Sequence, residues 1–265
     1  MKIGINSSFI ITQFDELIKP KFYLDKIHNN YNAYVGCDQH TLKCEINSES
    51  EFDLSEKVFD LINNLNDSFK DIDCELTNKK YYEVDDLDEF DDKFQNAYDF
   101  ERKFKKYSFI VTNGFLKVTD DLFLKKENIK IFVYLLDLFL GIPFTLIDNE
   151  QGQIIRRLYY KCGDYSKYQN TIEYKLLSNN WLFDVKKINL VYGIVEFCFD
   201  FLKSEKYKKF YEVENEIVYI YGYDFNELNN IINKLKVDKA GRYMRFINNF
   251  LPQNLCKDLE KIKAP

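Results

Sequence analysis

The sequence predicts an α+β fold, with a mainly antiparallel sheet and packed helices, on three observations. Segments of period-two alternation and segments of helical periodicity are interspersed along the 265 residues. Their order lacks the βαβ rhythm and the glycine-rich turns of a nucleotide-binding parallel sheet. A hydrophobic content of 46% at this length is enough to bury a substantial core, as one large domain or a domain with an appended lobe.

In chain order, MKIGINSSFIIT alternates small or polar with apolar residues and reads as a strand. NAYVGCDQHTLKCEIN reads as a hairpin whose second arm, Thr41 to Ile46, alternates in period two. Between Phe52 and Ile72 the residues Phe52, Leu54, Val58, Leu61, Ile62, Leu65 and Phe69 follow helical spacing, with Ser50 and Asp53 as caps. VDDLDEFDDKF, residues 84–94, is acidic without periodicity and reads as a solvated loop; it has no glycine-centred calcium-loop spacing. SFIVTNGFLKVT is a second long strand, interrupted or bulged at Gly114. IFVYLLDLFLGIP reads as a buried helix stopped by Gly141 and Pro143. A helix over Lys187 to Leu202, a strand near EIVYIYGY, a helix from Asp224 capped with Glu227, and a short helix after Pro252 complete the chain.

Composition excludes several classes. A net charge of -6 and a pI near 5.2 give no general basic field for a phosphate backbone, so nucleic acid is not an expected partner. No apolar run approaches the roughly 20 residues that span a bilayer, and the N-terminus lacks the apolar length of a signal peptide, so a soluble, cytoplasmic protein without a membrane partner is expected. Six scattered cysteines without CxxC spacing fit buried free thiols in a reducing compartment.

The most specific stretch is residues 155–181, IRRLYYKCGDYSKYQNTIEYKLLSNNW. The chain uses lysine almost everywhere, yet two of its five arginines stand side by side as Arg156 and Arg157. Arginine is suited to bidentate grip on phosphate or carboxylate. LLDLFLGIP, then RRLYYKCGDYSKY, then IEYKLLSNNW resembles the second half of the phage-type carboxylate-amine ligases, the second amidoligase family, whose catalytic fold is related to glutamine synthetase. Upstream, KIGINSSFIIT is similar to that family's opening strand, GCDQHTLKCEIN to its next hairpin, KFQNAY to a later segment, and VTNGFLKV to its histidine-bearing strand.

The resemblance implies a glutamine-synthetase-like domain over residues 1–203, with 204–265 as a strand and helices packing on the same domain. It also implies a ligase that activates a carboxylate with ATP to an acyl phosphate and lets an amine attack it. That chemistry uses carboxylate- and histidine-bound divalent metals, and arginines that neutralise phosphate. Together with a composition skewed toward Lys, Asn, Ile, Tyr and Phe, as a low-GC genome gives, it implies phage origin, and so a place in the host cytoplasm or virion.

The family's metal positions are altered. The acidic residues of the opening strand read Asn6 and Ser8, and the histidine positions read Phe115 and Lys117. A lysine ammonium about 4 Å from a divalent ion would be repelled by roughly 8 kcal/mol at an effective dielectric near 20, so Lys117 reads as a replacement for the cation. Tyr160, Ser166 and Lys175 replace a glycine and two arginines of the motif. What the resemblance retains is Glu45, Arg156 or Arg157, Lys161, Gly163 and Glu173, with Asp137, Gly141, Pro143, Ser178 and Trp181 as structural residues. The catalytic candidates are Glu45, Arg156, Arg157, Lys161, Glu173 and Lys175; the nucleotide-binding candidates are Arg156, Arg157 and Gly163.

Each candidate has a plainer reading. The arginines would be solvated or salt-bridged on a surface, and Trp181 would pack. Glu45 and Glu173 would be surface residues, or would partner Lys117 and Lys175 in a buried ion pair filling the former metal site. His40 reads as an exposed hairpin residue. Two functions follow: a catalytically degraded relative that binds a peptide or protein or serves a structural role, and an active ligase that uses ATP and Mg. The altered metal positions favour the first.

Overall fold

The computed structural model describes residues 1–14, 16–22, 24, 33–37, 41–70, 72–77, 81–83, 109–147, 162–208 and 247–262. Alternation in the first segment builds the long central strand β1, Lys2–Gln13, whose far end turns into the short β2, Glu16–Leu17. The expected hairpin is present as β3, Ala33–Cys37, and β4, Leu42–Ser48, paired antiparallel. Helix α1 spans Glu51–Lys70. Its start is capped as the sequence indicates: Ser50 Oγ accepts from the Asp53 amide, and the Asp53 carboxylate from the Glu49 amide. The helix buries Leu54, Val58, Leu61, Ile62, Leu65 and Phe69, the apolar stripe of the sequence, while Phe52 is exposed.

Strand β5, Cys74–Thr77, returns to pair with the end of β1. β6, Tyr81–Glu83, pairs with β7, Phe109–Val111, in a separate two-stranded sheet. The acidic run 84–94 and the KFQNAY segment lie outside the described residues. The expected strand from Ser108 to Thr119 divides into β7 and β8, Gly114–Thr119, which belong to different sheets. The break has a packing reason. A side chain at Gly114 would lie 2.4 Å from Ser178 O and 2.7 Å from Trp181 Nε1, so only glycine admits that turn onto the strand. β9, Tyr165–Tyr168, and β10, Thr171–Tyr174, form a hairpin that completes an antiparallel path β3-β4-β1-β8-β10-β9.

The second helical segment corrects the sequence reading. Helix α2, Lys126–Leu136, does not stop at Gly141; it passes through a π-helical turn, Asp137–Gly141, into α3, Ile142–Ile147. The Ile142 amide donates to Asp137 O, five residues back. This widened turn carries the chain into Pro143, which sits in the first turn of α3, where a missing N–H is tolerated. Helix α4 spans Val185–Lys203 and is capped by Asp184, whose carboxylate accepts from the Lys186 amide. Helix α5, Gln253–Ile262, packs on α4, with Leu255 over Gly193. The strand and helix read between residues 216 and 240 lie outside the described residues.

Ile3, Ile5, Cys44, Ile46, Leu116, Val118, Ile172 and Tyr174 alternate onto one sheet face and join α1, α2 and α4 in a single buried core. The result is an α+β architecture with an antiparallel sheet and helices packed on it. No helix among the described residues is long and apolar enough to cross a membrane.

Candidate functional site on the open sheet face

The same alternation sends the even-numbered residues of β1 to the opposite face. Asn6 stands level with Glu45 on β4 and Phe115 on β8. Lys117 stands level with Gly4 on β1 and Glu173 on β10. Directly paired residues point to the same side of a sheet, so Glu45, Asn6, Phe115, Lys117 and Glu173 converge from four neighbouring strands. Lys175, just past the end of β10, places its ammonium 5.9 Å from the Phe115 ring centroid.

The polar groups form two diagonal contacts. The Lys117 ammonium pairs with the Glu45 carboxylate, two strands away. The position between them is Gly4, which has no side chain to obstruct the reach. The Asn6 amide donates to Glu173 Oε2 at 2.7 Å. Thr119 and Thr171 hydroxyls are 2.8 Å apart beside this cluster. The pairing of Glu45 with Lys117 is the one the sequence reading favours, but the site is not a buried one, because Glu45 keeps 38% of its side chain exposed and Lys117 19%. Glu173 takes Asn6 as its partner instead of a lysine.

Ser8 is drawn out of this chemistry. Its hydroxyl accepts from the Asn113 amide at 3.0 Å, its own amide donates to Asn113 O, and its carbonyl accepts from Asn179 Nδ2. With Trp181 Nε1 donating to Gly114 O, these bonds fix the SNNW segment against the break between β7 and β8. Trp181 is therefore a packing residue, as read.

The matched motifs meet on the helical side of the sheet through one carboxylate. Asp137, in the π turn, is 1% exposed. Its Oδ2 accepts from the Gly163 amide at 2.6 Å and its Oδ1 from the Tyr174 hydroxyl at 2.7 Å. Gly141 makes that second contact possible, since a Cβ there would lie 2.1 Å from Tyr174 Oη. Gly163 itself has φ 79, in the left-handed region that glycine adopts freely. Burial pushes the Asp137 carboxyl up to about 8, against the opposing pull of its Tyr174 and Gly163 hydrogen bonds. Asp164, also raised by burial, is partly offset by the nearby Lys175 charge.

Of the residues singled out from sequence, Glu45, Glu173, Lys117, Lys175 and Asn6 share the open face around a buried Phe115, and Gly163 is held by Asp137 on the helical side. Arg156, Arg157, Lys161 and His40 lie outside the described residues. Asp137, read as a structural residue, is the polar anchor of the helical side, with partners that the sequence did not name. Its signal was present as the lone acid in the otherwise apolar IFVYLLDLFLG.

The donor set on the open face does not fit a divalent cation. Glu45 is committed to an ammonium, Glu173 to an amide, and Ser8 to the backbone. No group of three or more His, Cys, Asp or Glu side chains among the described residues could hold a metal ion. A cleft of about 1360 Å³ lies elsewhere, between α4 and α5, lined by Leu190, Phe201 and Leu255 with charged rims. No protein-family model matches the chain, and no curated protein matches it.

Proposed function

We propose that the chain is a divergent, phage-encoded relative of the carboxylate-amine ligases, with a glutamine-synthetase-like fold, that has given up divalent-metal catalysis and acts as a binding or structural protein. The observation that carries this reading is the Lys117 ammonium paired with Glu45 at a position where the resemblance puts a metal-binding histidine. An ammonium neutralises Glu45 as a metal ion would, yet it offers no open coordination position and no Lewis acidity. The antiparallel sheet with helices on one face is compatible with the expected fold. The Asp137–Gly163–Tyr174 contacts add support, because they give physical roles to the motif residues that the resemblance retains.

Thermal melts of the purified chain with Mg-ATP test this. A ligand at a hundred times its dissociation constant adds about 2.7 kcal/mol. For a chain of this size that is a rise of roughly 5 to 10 °C. The expected result is a cooperative melt that millimolar Mg-ATP leaves in place. A rise that is lost in Arg156→Ala or Arg157→Ala and in Glu45→Ala would overturn the loss of nucleotide binding and favour the active ligase instead.

A further inference from the structure

The turn between β1 and β2 carries an aromatic where the backbone does not favour one. Gln13 pairs with Glu16, leaving a two-residue connection, and its first residue, Phe14, has φ 51. Glycine, asparagine and aspartate suit a positive φ in such turns, and a bulky side chain there is strained. The fold recovers nothing from the ring, which is 82% exposed. The tip is nonetheless firmly built. β1 is paired on both sides at this end, with β2 and with β5, and Gln13 Nε2 donates to Ile72 O at 2.9 Å. An exposed aromatic on a braced support loses little freedom on binding.

The surroundings give the partner's chemistry. Exposed Glu16 and Glu75 flank the tip in register, and exposed Asp73 immediately precedes β5, while Lys70 ends α1. The chain as a whole is acidic. An anionic membrane surface would be repelled by this rim. We infer that Phe14 is a docking anchor, which inserts into an apolar pocket rimmed by lysine or arginine on a partner protein. This stands apart from the proposed loss of catalysis, since it uses no residue of the open face.

The test replaces Phe14 with p-benzoyl-phenylalanine in the full chain, with irradiation in the cells that make it. The expected adduct is with one other protein, mapped to an apolar pocket bearing Lys or Arg. Binding of the purified pair should weaken at least tenfold in Phe14→Ala and about threefold in Glu16→Lys, the latter effect shrinking in high salt. Phe14→Asn should raise the melting temperature by about 1 to 3 °C while losing the partner, since asparagine accepts this backbone conformation. An adduct only with a second copy of the chain, flotation of the protein on phosphatidylcholine vesicles, or no adduct at all would overturn the assignment. So would a lower melting temperature for Phe14→Asn, because the ring would then serve the fold.

Discussion

Asp137 and Glu45 are both carboxylates belonging to the motifs of the sequence resemblance, and they meet opposite physical conditions on the two sides of one sheet. Glu45 keeps 38% of its side chain exposed and has an ammonium for a partner. Asp137 is 1% exposed, and its hydrogen-bond partners are a neutral hydroxyl and a neutral amide. A partly exposed ion pair adds little to stability and is more easily exchanged than a buried one. A buried acid without a countercharge is costly, and its surroundings are specified atom by atom. The difference implies that the open face tolerates substitution more readily than the π turn, where Asp137, Gly141, Gly163 and Tyr174 depend on one another.

The largest expected effect breaks the buried side. Asp137→Ala strands the Gly163 amide and the Tyr174 hydroxyl, and should destabilise the fold by about 3 kcal/mol in denaturant melts. A loss under 1 kcal/mol would place Asp137 with Glu45 and remove the contrast. The same residue sets a pH dependence. Its folded value, about 8, lies above the ordinary carboxyl value near 4, so the native state retains a proton that the unfolded chain has released. Its contribution is therefore fully present below about pH 4 and is lost as the pH rises through about 8. Relative to Asp137→Asn, the wild-type melting temperature should fall across that window; parallel profiles for the two proteins would show an unperturbed acid.

Gly141→Ala comes next. The added methyl would meet Tyr174 Oη at 2.1 Å, so the hydroxyl must leave Asp137, at a cost of about 2 kcal/mol. Tyr174→Phe removes the clashing oxygen and leaves only the Leu176 methyl, 2.4 Å from the added carbon, to move aside. The double variant should be less destabilised than the sum of the singles, a coupling that a double-mutant cycle measures. Strict additivity would mean that the glycine is kept for another contact.

Much of this architecture could be read from period alone. The alternation in KIGINSSFIIT and TLKCEIN, and the stripe from Leu54 to Phe69, each depend on local pattern, and β1, β4 and α1 follow them. The π turn could not be read this way, because Gly141 and Pro143 are also the residues that stop a helix. The turn is held against the distant Tyr174 hydroxyl, which no local window contains. The open face was legible through the resemblance, which brought Glu45, Lys117 and Glu173 together before any strand register was known. The Asn6–Glu173 bond was not, since it depends on β8 lying between β1 and β10. Exposure was also misjudged, because a strand's period tells which face a residue takes but not whether anything covers that face.

The smallest expected effect is the sharpest test of the open side. Lys117→Met removes the ammonium that pairs with Glu45 and leaves Glu45 and Glu173 on one face. A partly exposed pair is worth about 1 kcal/mol or less, and the Glu45→Gln, Lys117→Met cycle should give a coupling in that range that shrinks with added salt. If the ammonium acts as a tethered cation, millimolar Mn²⁺ should restore part of the lost stability in Lys117→Met, because Glu45 is then free and Glu173 need only give up its Asn6 amide to share a metal, and it should leave the wild type unaffected. Stabilisation of the wild type by Mn²⁺ would mean that a metal binds despite Lys117, and a loss of 3 kcal/mol or more in Lys117→Met would mean that the pair is structural. Either result would make the open face as demanding as the buried one, whereas a small, salt-screened, metal-rescued loss ties the side chain at position 117 to the absence of a metal on this face.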